Sequence, residues 1–319
     1  MTEQQTIVVT GVAGFIGSNL ADRLLAEGHR VIGIDNLAYG VLEQVPSGVD
    51  FHQLDIRDHA IFPLIAGADA VFHLAAKNCI SDCQQDPLET VSINVWGSVN
   101  VFEACAQGRV RKVVYAESSA LYEGSAVLPT PESEAAPESF YALSKAAERH
   151  FAGGYARYRG LRSTALRYFC VYGPRQDYRR TIPPVMSAFI IKLSRGERPT
   201  IYGTGEKRRD FVYVDDVNDF HVQCLVDART DGGTFNLGSG RSYSVREIFD
   251  LVRRLLGSSL EPLYVDDLPG EALATQADIS AARALAWEPR TSLEEGLRRS
   301  IAYLREHVLG HQVSAAARA

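Results

Sequence analysis

A doubly wound α/β fold, a parallel sheet between two layers of helices, follows from three features of the sequence. Short β-branched or apolar runs alternate with helical stretches up to about residue 170. The first run opens straight into a glycine-rich turn and an amphipathic helix, and an aspartate closes the second run about 20 residues later.

The first run, Thr6-Ile-Val-Val-Thr10, is of the kind that forms a buried parallel strand. From Thr10 to Gly28 the chain reads TGVAGFIGSNLADRLLAEG: Gly11, Gly14 and Gly17 make the turn, Leu20, Leu24 and Leu25 keep helical period, and Gly28 closes the helix. Glycine lets backbone approach a pyrophosphate closely, and the helix N-terminus offers free N–H donors and partial positive charge. The second strand, Arg30-Val-Ile-Gly-Ile34, ends in Asp35, whose carboxylate can accept both ribose hydroxyls of NAD and repels a 2′-phosphate. In register, these features predict an NAD site rather than an NADP site.

Further strands are expected at 51–54, 70–74, 112–116 and 164–169, with helices near 90–105 and 140–158. Asp55 closes the third strand and His73-Leu-Ala-Ala76 the fourth, at the carboxyl ends where such sheets bind ligands. Ala75 and Ala76 are small enough for a cofactor to pack on their backbone, or are simple loop alanines. Beyond residue 170, Pro174, Pro183, Pro184, Pro199, Gly203 and Gly205 break the chain into short pieces, as in a substrate lobe growing from the strand ends. The expected organisation is a dinucleotide-binding domain over 1–170, to which 211–237 returns, a substrate-binding lobe over 171–210 and 238–308, and a frayed tail over 309–319.

At 319 residues, 46 % hydrophobic and 23 % charged, the composition is that of an ordinary globular protein of one large domain or two smaller ones. A net charge of −6 without basic runs points away from nucleic acid and membrane surfaces and towards a small-molecule ligand. There is no apolar run of the roughly 18 residues a membrane span needs, and the polar start lacks a secretory pattern, so a cytoplasmic protein is expected. The five cysteines fit no C-x-x-C pair and are expected reduced; Cys79 and Cys83 lack two further metal ligands, so no metal is expected.

The chemistry is placed at Tyr141-Ala-Leu-Ser-Lys145, because residues four apart share a helix face. An ammonium beside a phenol favours the phenolate, so Tyr141 is expected to have a lowered pKa and to act as a base. Ala116-Glu-Ser-Ser-Ala-Leu-Tyr122 is a polar loop at the end of the fifth strand. Either it is a serine-rich turn, or its serine binds a substrate hydroxyl while tyrosine takes the proton and NAD accepts hydride from the same carbon.

Together TGVAGFIGSNL, Asp35-Asn36, Leu54-Asp-Ile-Arg-Asp58, His73-Leu-Ala-Ala76, Asn94, Ser118-Ser-Ala-Leu-Tyr122, Tyr141-Ala-Leu-Ser-Lys145, LRYFCVYGPRQ and RRDFVYVDDV make the chain resemble the extended short-chain dehydrogenase/reductase family. The resemblance spans nearly the whole chain and lies with the nucleotide-sugar epimerases and dehydratases, most of all with UDP-sugar 4-epimerases. It implies a Rossmann domain with a smaller C-terminal lobe, Tyr141 as general base, Lys145 holding the nicotinamide ribose, and Ser118 on the reacting hydroxyl. It assigns NAD to Gly11, Gly14, Phe15, Ile16, Gly17, Asp35, Asn36, Asp55, Ile56, Leu74, Ala75, Ala76, Asn94, Ala116, Tyr141, Lys145, Tyr168 and Val171. It assigns the nucleotide sugar to Ser118, Ser119, Tyr141, Cys170, Arg179, Arg180, Val185, Tyr202, Arg209 and Glu271, with Arg209 on the diphosphate. Homodimers through the two helices near 90–105 and 140–158 are also implied.

The chain departs from its relatives at three places. Dehydratases and decarboxylases of the family carry an acid where this chain has Ala120, which cannot move a proton, so 4-epimerisation through a transient 4-ketone is expected. Cys170 replaces an asparagine that touches the diphosphate, and Leu268 an arginine near the nucleotide. Arg179 or Arg180 either substitutes for the missing groups or recognises a uronate carboxylate. The expected activity is therefore NAD-dependent 4-epimerisation of UDP-glucose/UDP-galactose or UDP-glucuronate. The alternatives are a nucleotide-sugar dehydrogenase, reductase or decarboxylase, and a non-catalytic NAD-binding protein.

Overall fold

The structure, a computed structural model, describes residues 3–180, 183–267 and 272–310. The first half runs β1 (Thr6–Thr10), α1 (Phe15–Ala26), β2 (Arg30–Asp35), β3 (Asp50–Gln53), α2 (Phe62–Ile65), β4 (Ala70–His73), α3 (Ile80–Gln85), α4 (Pro87–Val91), α5 (Ser98–Gln107), β5 (Lys112–Ser118) and α6 (Phe140–Arg159). It continues with β6 (Ser163–Tyr168), β7 (Cys170–Tyr172), α7 (Val185–Ser194), β8 (Thr200–Tyr202), β9 (Arg208–Tyr213), α8 (Val214–Val226) and β10 (Thr234–Leu237). The last elements are β11 (Ser242–Ser244), α9 (Val245–Leu256), β12 (Leu263–Val265), α10 (Ser280–Arg283) and α11 (Leu293–Leu304).

Seven strands form a parallel sheet in the order β10-β6-β5-β4-β1-β2-β3. The chain starts at β1, winds outward to β3, then returns past β1 to β4, where Thr10 lies opposite His73. This reversal opens a crevice at the carboxyl ends of β1 and β4. Successive side chains of a strand point to opposite faces, so β1 feeds two cores. Ile7 and Val9 pack with Leu20 and Leu24 of α1 and Phe220 of α8. Val8 packs with Phe102 and Cys105 of α5 and Ala152 of α6. Both faces are covered, which is why the strands read as continuous apolar runs. A third core, around Phe189, Ile190, Phe211, Phe249, Leu297 and Ile301, holds the smaller lobe together.

Two expectations need correcting. The helix expected near 90–105 is interrupted: α4 passes into a π-helical segment, Ser92–Gly97, before α5, with Asn94 and Ser98 buried. The apolar run beginning at Phe211 returns outside the main sheet: it belongs to β9, which pairs with β7 and β11 in a small separate sheet, while its Val212 packs in the first core. From there α8 packs on α1, and β10 adds to the sheet beside β6.

Candidate active site

The crevice is the floor of a cavity of ≈ 1050 Å³. At one end is the glycine turn. A Cβ on Gly11 (φ +74°) would meet Ala75 N at 2.8 Å, and one on Gly17 would lie 2.2 Å from Gly11 O. Only glycine allows β1, the turn and the β4 loop to approach this closely. Helix α1 begins at Gly14 without a side-chain cap, so its first N–H groups face the cavity end as an anion-binding terminus. Asp35 is fixed at the end of β2 by two backbone donors, Ala13 N at 3.0 Å and Leu37 N at 2.8 Å, and burial raises its pKa. Each carboxylate oxygen keeps a lone pair for a ribose hydroxyl. Asp55 accepts from Arg57 and from Asn36, and these contacts lower its pKa to about 2. A side-chain-free cradle, a helix N-terminus and a fixed carboxylate together fit a dinucleotide.

At the other end α6 presents Tyr141. Its first turn is held by Ser139, which accepts from Ala142 N at 3.1 Å, and by Gln84 of α3, which accepts from Phe140 N at 2.9 Å. Strand β5 delivers Ser118, which lines the cavity with the Tyr141 phenol and favours its ionised form. The expected fall in the Tyr141 pKa is not what this environment produces. Burial raises it, and the nearby Lys145 ammonium and Ser118 hydroxyl oppose burial without outweighing it.

Behind the pair is a buried polar chain. Lys145 Nζ donates to Glu148 Oε2 at 2.7 Å. Glu148 Oε1 faces His73 Nε2 at 3.6 Å, and His73 Nε2 lies 2.9 Å from Ser98 Oγ. Thr10 Oγ1 accepts from Leu74 N and Ala75 N, so its own proton goes to His73 Nδ1 at 2.8 Å, and the imidazole carries its proton on Nε2. Burial pushes His73 down to about 3, so it is neutral.

The cavity wall includes Gly11, Gly14, Phe15, Ile16, Gly17, Asp35, Asn36, Asp55, Ile56, Leu74, Ala75, Ala76, Ala116, Ser118, Ser119, Tyr141, Lys145, Tyr168, Cys170, Val171, Arg180 and Arg209. Arg209 donates to the carbonyls of Arg208 and Ala272. Arg180 donates through Nε to Asp177 Oδ2 at 2.8 Å. Four expected residues are not on this wall. Asn94 is turned inward by the π-helical segment, where it bonds both backbone groups of Lys77 and Ser144 Oγ and so anchors the β4 loop to α6. Arg179 lines a smaller adjoining cavity of ≈ 360 Å³. Val185 opens α7, and Tyr202 ends β8. Leu268 and Glu271 lie outside the described residues. Sequence reasoning did not single out Glu148 or the role of His73. The helical spacing of Glu148, three residues beyond Lys145, was the available signal.

The family model "NAD dependent epimerase/dehydratase family" matches residues 7–238. A UDP-glucose 4-epimerase of Mycolicibacterium smegmatis is 35 % identical over 308 residues, 93 % of this chain and 98 % of that protein. A UDP-glucuronate 4-epimerase of Thermodesulfobacterium geofontis is 34 % identical over 320 residues, 94 % of this chain and 96 % of that protein. Among solved structures, the UDP-glucose 4-epimerase of Thermotoga maritima with UDP-glucose superposes with a TM-score of 0.91 at 35 % identity, covering 94 % of this chain and 99 % of that one.

Proposed function

The chain belongs to the NAD dependent epimerase/dehydratase family, and from that premise we propose that it is an NAD-dependent UDP-sugar 4-epimerase. The observation that carries this reading is that Ser118, Tyr141 and Lys145 line the same cavity as the glycine cradle and Asp35. Bound NAD would supply a reversible hydride acceptor for C4, which permits inversion through a transient 4-ketone with no net redox. Gly11, Gly14, Gly17 and Asp35 hold the cofactor, Ser118 holds the C4 oxygen, and Tyr141 takes and returns its proton. Ala120 lines the cavity and brings no acid for elimination or decarboxylation. Arg209 takes the diphosphate.

The sugar is a hexose such as glucose/galactose, or its uronate. The uronate reading draws on Arg180, which uses Nε on Asp177 and has further N–H groups for a carboxylate. The NAD-loaded protein, incubated in turn with UDP-glucose, UDP-galactose and UDP-glucuronate, is expected to invert C4 of at least one, followed by NMR. Inversion of none rejects the proposal. Absorbance at 340 nm stays constant for an epimerase and changes steadily for a dehydrogenase or reductase.

The same proposal includes a cytoplasmic homodimer. Leu88, Val91 and Trp96 lie exposed on α4 and the π-helical segment, and Phe140, Leu143, Phe151 and Tyr158 on α6, an apolar surface suited to a second copy. Cys79, Cys83, Cys105 and Cys224 form no disulfide, which suits a reducing compartment. No helix among the described residues is long and apolar enough to cross a membrane.

A further inference from the structure

Glu148 is wholly buried and absent from the cavity wall, which it meets through Lys145. Its Oε2 receives the Lys145 ammonium at 2.7 Å, with Lys145 itself only 3 % exposed, while Oε1 has no hydrogen-bond partner. A buried ion pair is a weak source of stability, because desolvation offsets most of the attraction. This one lies one helical turn from the phenol that lines the cavity.

We propose that Glu148 is a positioning residue for the epimerisation: a fixed buried counter-charge that anchors the Lys145 ammonium beside Tyr141 and limits how far that ammonium favours the phenolate. The proposal rests on the reading of Tyr141 as the base. With Glu148 present, the Tyr141, Lys145 and Glu148 cluster is neutral before Tyr141 loses its proton and singly negative after. With a neutral residue in its place the same step runs from singly positive to neutral, which burial penalises less.

The other groups facing the cluster leave this role to Glu148. Cys83 comes from α3, His73 from β4, Tyr115 and Glu117 from β5, and Tyr168 from β6. His73 is neutral, and Glu117 is paired with Arg167 at 2.5 Å. Consistent with the geometry, Glu148 raises the Tyr141 pKa while Lys145 lowers it.

The test is the Tyr141 phenolate titration in NAD-loaded protein, read as the ultraviolet difference between each protein and its Tyr141→Phe counterpart. Glu148→Gln is expected to move the midpoint about one unit to lower pH. With UDP-glucose or UDP-galactose as substrate, the acid limb of kcat moves with it, whereas a residue needed only for packing lowers kcat at all pH values alike. An unmoved or higher midpoint overturns the proposal. Should Glu148→Gln not fold, Glu148→Asp draws the charge back by one methylene, and a smaller shift in the same direction is expected; an unmoved or higher midpoint again overturns it. Turnover surviving Tyr141→Phe would defeat the base assignment, a result separate from the titration.

Discussion

Arg167→Met isolates the contact that holds the reacting end of the sheet in place. Arg167 is fully buried on β6, with Nε 2.5 Å from Glu117 Oε2 and Nη1 2.7 Å from both Tyr122 OH and Glu132 O. Its guanidinium also lies 5.1 Å from the centre of the Tyr122 ring. Methionine fills similar space but leaves the buried Glu117 carboxylate with only Tyr115 OH at 3.4 Å and the Arg149 guanidinium at 4.0 Å. Breaking one side of such a pair costs about 3–5 kcal/mol, against a total stability of about 5–15 kcal/mol. At about 2–4 °C per kcal/mol for larger domains, the melting temperature should fall by roughly 6–20 °C. Denaturant unfolding and calorimetry measure this directly. Adding Glu117→Gln removes the orphaned charge, so the double variant should regain much of the loss. Because Glu117 precedes Ser118 on β5, turnover should fall in the single variant as well. A cost below about 1 kcal/mol, or a double variant no more stable than Arg167→Met, would refute the reasoning.

Tyr141→Phe should lower turnover by about 10²–10⁴-fold while NAD remains bound, checked by NMR of C4 and by cofactor content; near-normal turnover would remove Tyr141 from its role. Gly17→Ala places a Cβ 2.2 Å from Gly11 O, so the purified protein should carry little NAD and melt lower. His221, bonded to Tyr168 OH at 2.6 Å, is pushed down to about 3 by burial from an ordinary 6.5. The unfolded chain therefore takes up a proton that the folded one refuses, and this contribution to stability is present above pH 6.5 and lost as pH falls towards 3. His221→Gln should be less stable at pH 7 yet lose less between pH 7 and 5 in denaturant unfolding; an unchanged pH dependence would contradict this. Leu143→Glu with Phe151→Glu should sediment as a monomer if α6 forms the dimer face.

The elements most legible in the sequence were those specified by local rules. Glycines that a turn requires, an aspartate at a strand end and a Tyr–Lys pair one helical turn apart are readable because helix and strand periods place them without knowledge of the rest of the chain. The packing of Asn94 was illegible for the opposite reason. Its motif position suggests cofactor, while in the fold it sits in a π-helical segment and bonds Lys77 and Ser144, and such a segment has no plain signature in residue type.

The amino-acid sequence was sufficient for the doubly wound class, the glycine turn and the one-turn spacing of Tyr141 and Lys145, since each depends on spacing along the chain. The electrostatic state of that pair depended on residues brought together from α6, β4 and β5. Lys145 beside Tyr141 reads in sequence as a push towards phenolate. Folding buries the phenol, pairs the lysine with Glu148 and sets a neutral His73 behind them, so desolvation outweighs the local charge. Desolvation is a property of everything packed around a group, and only the tertiary structure decides it.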